Sequence, residues 1–141
     1  MHLREKLKFY AEKFSARDDE PHGQEIDNKH AAVWMGEHIP LLDCQDPVLE
    51  EIYYFRWWVY RKHIKKTPEG YILTEFLPQV PWSGPYNGIS CAAGHHLMEG
   101  RWLRGSDTYL RDYCVYWFLG SGREHEQDYS NWLIHAVYRF T

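Results

Sequence analysis

The chain has 141 residues, of which 44% are hydrophobic and 26% are charged, and this balance predicts a globular protein that buries its own core. The net charge of -4 argues against a nucleic-acid surface, which usually shows clustered positive charge. Seven Trp and eleven Tyr indicate either a large aromatic core or a surface on which rings stack. The three cysteines have no CxxC spacing, which predicts free thiols rather than a disulfide framework.

The N-terminal segment is charged and amphipathic, and it lacks the apolar core of a secretory signal. No stretch of the chain approaches the length of a transmembrane helix. We therefore expect a soluble protein that has no membrane partner, with a cytoplasmic location as the default.

The first half of the chain predicts three helices, over residues 3–15, 26–38 and from Pro47 to about residue 66. Asp46 is a favourable N-cap for the third helix, and the basic run 61–66 suits its C-terminus. Aromatic residues lie on every face of this helix, so we expect it to be buried on more than one side. Arg56 in its middle would then need a partner.

The second half predicts a turn at 67–70, a short strand or hairpin arm at 71–77 and a Pro/Gly-rich loop at 78–88. Three further helices are expected: 91–103 capped by Ser90, one capped by Asp107 and stopped by Gly120, and a last one from about Asp128. The fold class is mostly α, with short connections that favour antiparallel helical hairpins.

The loop and the helix that follows it contain the strongest candidate site. Trp82 and Tyr86 are large aromatics on a loop, where they are either buried under it or displayed for binding. His95, His96 and Glu99 have i,i+3 and i,i+4 spacing. These three residues could form hydrogen bonds in a polar core, line a ligand pocket or hold a metal.

A metal site would need further ligands, and no second cluster has the required spacing, so we expect neither a metal nor a cofactor. Acid–base catalysis needs two carboxylates that face one pocket. Glu75, Glu99 and Asp128 are the candidates, and nothing in their spacing marks a pair. Gly94 lowers helix propensity, which suggests close packing or a ligand approaching the backbone at this position.

Several runs carry a family resemblance: YYFRWWVYRKHIKKTPEGYILTEFLP, PYNGISCAAGHHLMEGRWL, YLRDYCVYWFLGSG and YSNWLIHAVY. Together they resemble the N-terminal part of a bacterial six-hairpin glycosidase. The group is similar to mannosylglycerate-hydrolase-like proteins and, more distantly, to trehalases and processing glucosidases. The resemblance covers residues 27–138 and implies an (α/α)6 toroid and an inverting hydrolase whose two catalytic carboxylates lie beyond this region. Relatives often carry Trp-Asp where Cys91 and Ala92 stand here, so their sugar contacts are not carried over.

The resemblance implies that residues 25–141 form a partial toroid, preceded by an N-terminal helix and linker at 1–24. Its partner would be a carbohydrate, and an incomplete toroid would expose apolar helix faces that favour self-association. The chain alone is expected to be inactive, because the resemblance places both catalytic carboxylates beyond the matched region; catalytic residues within these 141 residues are unknown. The alternative is a non-catalytic carbohydrate-binding or protein-interaction helical domain. The residues expected to form the sugar-binding wall, with the first two behind the others, are Arg56, Trp57, Trp82, Tyr86, Asn87, His95, His96 and Glu99.

Overall fold

The computed structural model describes residues 2–141, which form two compact units, one ending at Lys62 and the other running from His63 to Thr141. Among these residues the chain is mostly helical, with one two-stranded antiparallel sheet. The elements are α1 Leu3–Ser15, α2 Ala31–His38, α3 Pro47–Lys62, β1 Ile64–Thr67, β2 Gly70–Leu73, α4 Ser90–Gly100, α5 Asp107–Phe118 and α6 Leu133–Phe140. The boundary expected near residue 24 falls inside the first unit and stays a prediction about domain organisation.

In the first unit, α1 packs against both α2 and α3. The apolar face predicted for α1 is confirmed, because Leu7, Tyr10 and Phe14 are buried. Tyr10 stacks on Tyr54 of α3 with ring centroids 5.2 Å apart, and Phe14 meets Trp58 edge-on at 5.9 Å. The aromatic side chains of α1 and α3 therefore pack together in the core of this unit.

Helix α3 begins as predicted, because the carboxylate of Asp46 accepts hydrogen bonds from the backbone N–H groups of Val48 and Leu49 at 2.9 and 3.2 Å. The expectation that α3 is buried on several sides is wrong. Arg56 is exposed, and an exposed apolar stripe runs along the helix. This stripe comprises Val48, Leu49, Ile52 and Phe55.

The buried arginine of α3 is Arg61, which the sequence pattern placed with the basic helix end. Residues 54, 57, 58 and 61 are buried and have the i,i+3,i+4,i+7 spacing of one helix face. The Arg61 guanidinium donates to the side chains of Gln24 and Asn28 and to the carbonyl of Ile26, and it lies 4.9 Å from the Trp58 ring. Desolvation by burial lowers the pKa of Arg61 to about 10.

The basic run does not continue as a helix, because its last two lysines, Lys65 and Lys66, lie in β1. Strands β1 and β2 pair in the register Ile64↔Leu73 to Thr67↔Gly70, which confirms a turn at 67–70. Gly70 has a φ of 103°, which favours glycine. The Asp112 carboxylate of α5 accepts a hydrogen bond from the Tyr71 N–H at 2.9 Å and fixes the hairpin against that helix.

Several predicted helix starts differ from the observed ones. Helix α2 begins at Ala31 rather than near residue 26, and residues 28–30 form a turn. Helix α6 begins at Leu133 rather than at Asp128, and Asn131 Oδ1 accepts from the Leu133 N–H at 3.0 Å. Ser90 is the first residue of α4 rather than its cap, and Asp107 is likewise the first residue of α5. For α4 and α5 the difference is a single position, which is within the range over which helix termini are assigned.

The close packing expected at Gly94 is confirmed. Helices α4 and α6 pack together, and a Cβ on Gly94 would lie 2.7 Å from the Trp132 ring. The missing side chain lets the indole lie against the backbone of α4. None of the helices in residues 2–141 has the length and apolarity needed to cross a lipid bilayer.

Candidate functional site

The loop after β2 is organised by the buried side chain of Asn87. Its amide nitrogen donates to the carbonyls of Phe76 and Pro78 at 2.5 and 3.0 Å. Its oxygen accepts from the N–H of Val80 at 3.2 Å and the hydroxyl of Ser83 at 2.8 Å. Four hydrogen bonds from one buried amide fix the path of the loop, so these contacts give Asn87 a structural role.

The two loop aromatics have different surroundings. The Trp82 side chain is 59% exposed, and its ring meets the Phe76 ring edge-on with centroids 6.2 Å apart. Tyr86 is half-buried, has a left-handed φ of 56° and packs 6.4 Å from the Tyr116 ring. The Tyr116 hydroxyl donates to the Pro85 carbonyl at 2.7 Å. Trp82 is therefore displayed on the loop, whereas Tyr86 helps to anchor it.

The two adjacent histidines of α4 have different neighbours. His95 is exposed, and its ring meets the edge of Trp132 at 5.0 Å. His96 is half-buried, with Nδ1 3.0 Å from the Tyr113 hydroxyl and Nε2 3.7 Å from a carboxylate oxygen of Glu75. Glu99 lies one turn further along α4 and is half-buried. The two imidazoles point in different directions, since consecutive helical residues are about 100° apart.

Glu75, His96 and Tyr113 form an array that the sequence analysis did not assemble. Tyr113 is fully buried, and desolvation raises the pKa of its phenol above the usual range, so the phenol stays protonated at neutral pH. Its hydrogen bond orients the His96 ring towards Glu75. No local spacing in the sequence indicated this array, because Glu75 follows a strand and Tyr113 lies seventeen residues beyond His96.

The array and the displayed tryptophan are linked through consecutive residues, since Glu75 contacts His96 and its neighbour Phe76 contacts Trp82. An exposed indole can stack on the apolar face of a ring-shaped ligand. A carboxylate can accept hydrogen bonds from hydroxyl groups, and a neighbouring imidazole can donate hydrogen bonds to them. We refer to Glu75, Phe76, Trp82 and His96 as the loop site.

The other two expected site residues belong to the first unit. Arg56 is exposed, whereas Trp57 is 4% exposed and packs edge-on against Tyr60 at 5.6 Å. Trp57 therefore belongs to the core of its own unit, and a role for these residues behind the pocket stays a prediction. Within residues 2–141 no three His, Cys, Asp or Glu side chains are grouped closely enough to hold a metal ion.

Comparison with protein-family models finds no match, and comparison with curated proteins finds none either. A solved structure is similar, however. It is described as "Sialidase", is 42% identical over 99% of this chain and has a TM-score of 0.89. The matched region is 13% of that protein's own chain. This chain thus shares the fold and much of the sequence of one segment of a much longer protein.

Proposed function

We propose that this chain supplies part of the sugar-binding wall of a glycoside hydrolase, within an (α/α)6 toroid. The observation that carries this proposal is the loop site. Its Glu75 carboxylate lies 3.7 Å from the His96 imidazole, and the next residue, Phe76, contacts the exposed Trp82 ring. Sugars are commonly bound by an aromatic face and a few polar groups that choose among hydroxyls. Tyr86, Asn87 and Glu99 would support this wall rather than form its centre.

The similarity to a longer protein described as a sialidase supports a carbohydrate-active role. Because the match spans 13% of that protein, we treat the activity and the substrate class of that protein as hypotheses for this chain. The family resemblance of the sequence runs is consistent with the same general class, a hydrolase that acts on glycosides.

We propose further that the catalytic pair is not in these 141 residues. Inverting hydrolysis requires two carboxyl groups about 6.5–9.5 Å apart, with room for a water molecule. The loop site contains one carboxylate, Glu75, and His96 occupies the position beside it. We therefore expect Glu75 to bind a hydroxyl or to position His96 rather than to cleave a bond.

The proposal is tested by titrating the purified chain with mannose, glucose, trehalose and N-acetylneuraminic acid, with ligand-observed NMR and tryptophan fluorescence as readouts. At least one of these sugars should bind. Trp82→Ala should weaken that binding about tenfold or more, because loss of an aromatic contact costs roughly 0.5–1.5 kcal/mol beyond its buried area. Tyr138→Ala is the matched control, since Tyr138 is 76% exposed and lies on α6.

Two outcomes would contradict the proposal. The first is that none of the four sugars binds, or that Trp82→Ala and Tyr138→Ala weaken binding equally. The second concerns catalysis: sustained cleavage of glycosides by the chain, abolished by Glu75→Gln, would show that the chain carries its own catalytic group. If sugars bind and nothing is cleaved by a stable monomer, the alternative of a non-catalytic binding domain is favoured over a partial toroid.

A further inference from the structure

A second cleft lies in the unit that starts at His63, where α4 ends, α5 begins and α6 ends. Its volume is about 390 Å³, which is within the range of small-molecule sites. It is lined by Arg101, Trp102, Ser106, Asp107, Arg139 and Phe140. None of these residues belongs to the loop site.

The most informative residue of this cleft is Arg101. Its guanidinium lies 5.1 Å from the centre of the Trp102 ring, as in a cation–π contact. Its Nε is buried, and among residues 2–141 it has no hydrogen-bond partner. A buried guanidinium donor without an acceptor is unfavourable, and an acceptor supplied by a ligand would remove that cost.

A structural explanation for the arginines is that cations favour helix C-termini. Arg101 is the C-cap residue of α4, and Arg139 lies in the last turn of α6. This explanation accounts for the two charges but not for the unpartnered Nε. It also does not account for Trp102, whose side chain is 61% exposed beside the guanidinium.

The lining groups determine what kind of ligand fits. Two guanidiniums outnumber the single carboxylate of Asp107, and planar guanidiniums bind carboxylate and phosphate oxygens bidentately. Trp102 and Phe140 add aromatic surface on which a compact ring can pack. A free inorganic anion would use the arginines but not the rings.

We propose that this cleft binds a small organic anion, a carboxylate or phosphate group carried on a ring such as an acidic or phosphorylated monosaccharide. Arg101 and Arg139 hold the oxyanion, and Trp102 packs against the ring. Asp107 faces the same cleft and limits the affinity through like-charge repulsion. This site is separate from the proposed sugar-binding wall and does not depend on it.

The test is an NMR titration that follows the indole N–H resonance of Trp102, with isothermal calorimetry for affinity. The probes are glucuronate, glucose 6-phosphate, inorganic phosphate and neutral glucose. We expect one or both charged sugars to bind, more tightly than inorganic phosphate, with glucose causing no saturable shift. Comparing glucuronate with glucose 6-phosphate distinguishes a carboxylate site from a phosphate site.

Variants assign the binding to the cleft. Arg101→Gln and Arg139→Gln should each raise the dissociation constant about ten- to a hundredfold, because each removes charge-assisted hydrogen bonds. Asp107→Asn should lower it several-fold. Arg111→Gln is the matched control, because Arg111 is an exposed arginine of α5 outside the cleft lining and its loss should change the dissociation constant little.

Each remaining outcome decides against the proposal. If no charged sugar shifts Trp102 at millimolar concentration, the cleft is not an anion site. If glucose or inorganic phosphate binds as well as the charged sugars, the combination of arginines and ring surface has no role. If Arg111→Gln weakens binding as much as Arg139→Gln, the effect is general electrostatics. Arg139 is exposed, so its variant is expected to fold even if Arg101→Gln does not.

Discussion

Replacement of Asn87 by alanine should open the loop that displays Trp82. The substitution removes four hydrogen bonds, two donated to carbonyls and two accepted from Val80 and Ser83. Each is worth about 1 kcal/mol net, and alanine at the left-handed φ of 70° adds about 1 kcal/mol. Because the carbonyls at the loop surface regain water, we expect a loss of about 3–5 kcal/mol in the stability of this region.

The measurements are urea unfolding, followed by circular dichroism and tryptophan fluorescence, and hydrogen exchange of the Val80 amide. Gln79→Ala is the matched control, because the exposed Gln79 side chain also bonds to Ser83 and to the Val80 carbonyl, and its loss should cost less than about 0.5 kcal/mol. Asn87→Asp keeps both acceptor contacts but sets a carboxylate against two carbonyls, so it should also destabilise. If Asn87→Ala stayed within about 1 kcal/mol of the wild type with Val80 still protected, the buried amide would not organise the loop.

Gly94→Ala should lower the melting temperature, because overpacking against Trp132 costs about 1–3 kcal/mol and exceeds a helix-propensity gain of about 1 kcal/mol. Gly36→Ala in α2, where a Cβ meets nothing within 4 Å, should raise it instead, and equal shifts for both would refute the packing argument. The pKa of Glu50 is lowered, and the largest cause is the hydrogen bond that the Lys6 ammonium donates to its carboxylate. This carboxylate therefore stabilises the fold above the pKa that it has in the unfolded chain, and the contribution is lost as pH falls through about 4 and below. Glu50→Gln should therefore flatten the acid limb of a stability–pH profile, and an unchanged limb would contradict this. Self-association through the exposed stripe of α3 should show as concentration-dependent mass in sedimentation, and Ile52→Asp should abolish it; a monomer at all concentrations would exclude it.

Local patterns in the sequence predicted much of the helical framework. The α1 face, the Asp46 cap and the turn at 67–70 all depend on neighbours within a few residues. Such features are determined by helix periodicity, capping and backbone sterics, and these act over one or two turns. The sequence pattern also singled out Trp82 and Tyr86 as loop aromatics, since prolines and glycines surround them, but it left open whether each is buried or displayed.

Tertiary packing decided the features that depend on distant partners. Arg61 has the charge of a helix end, but it lies on the buried face of α3 because acceptors from residues 24–28 satisfy its guanidinium. Lys65 and Lys66 left the helical pattern because β1 pairs with β2. The same holds for the candidate sites. The sequence by itself determined that an aromatic loop precedes a helix with two histidines. Only the tertiary structure gave those histidines different surroundings, brought Glu75 and Tyr113 to His96, and placed the termini of three helices around Arg101. Contacts between residues so far apart in the chain form only when the helices pack.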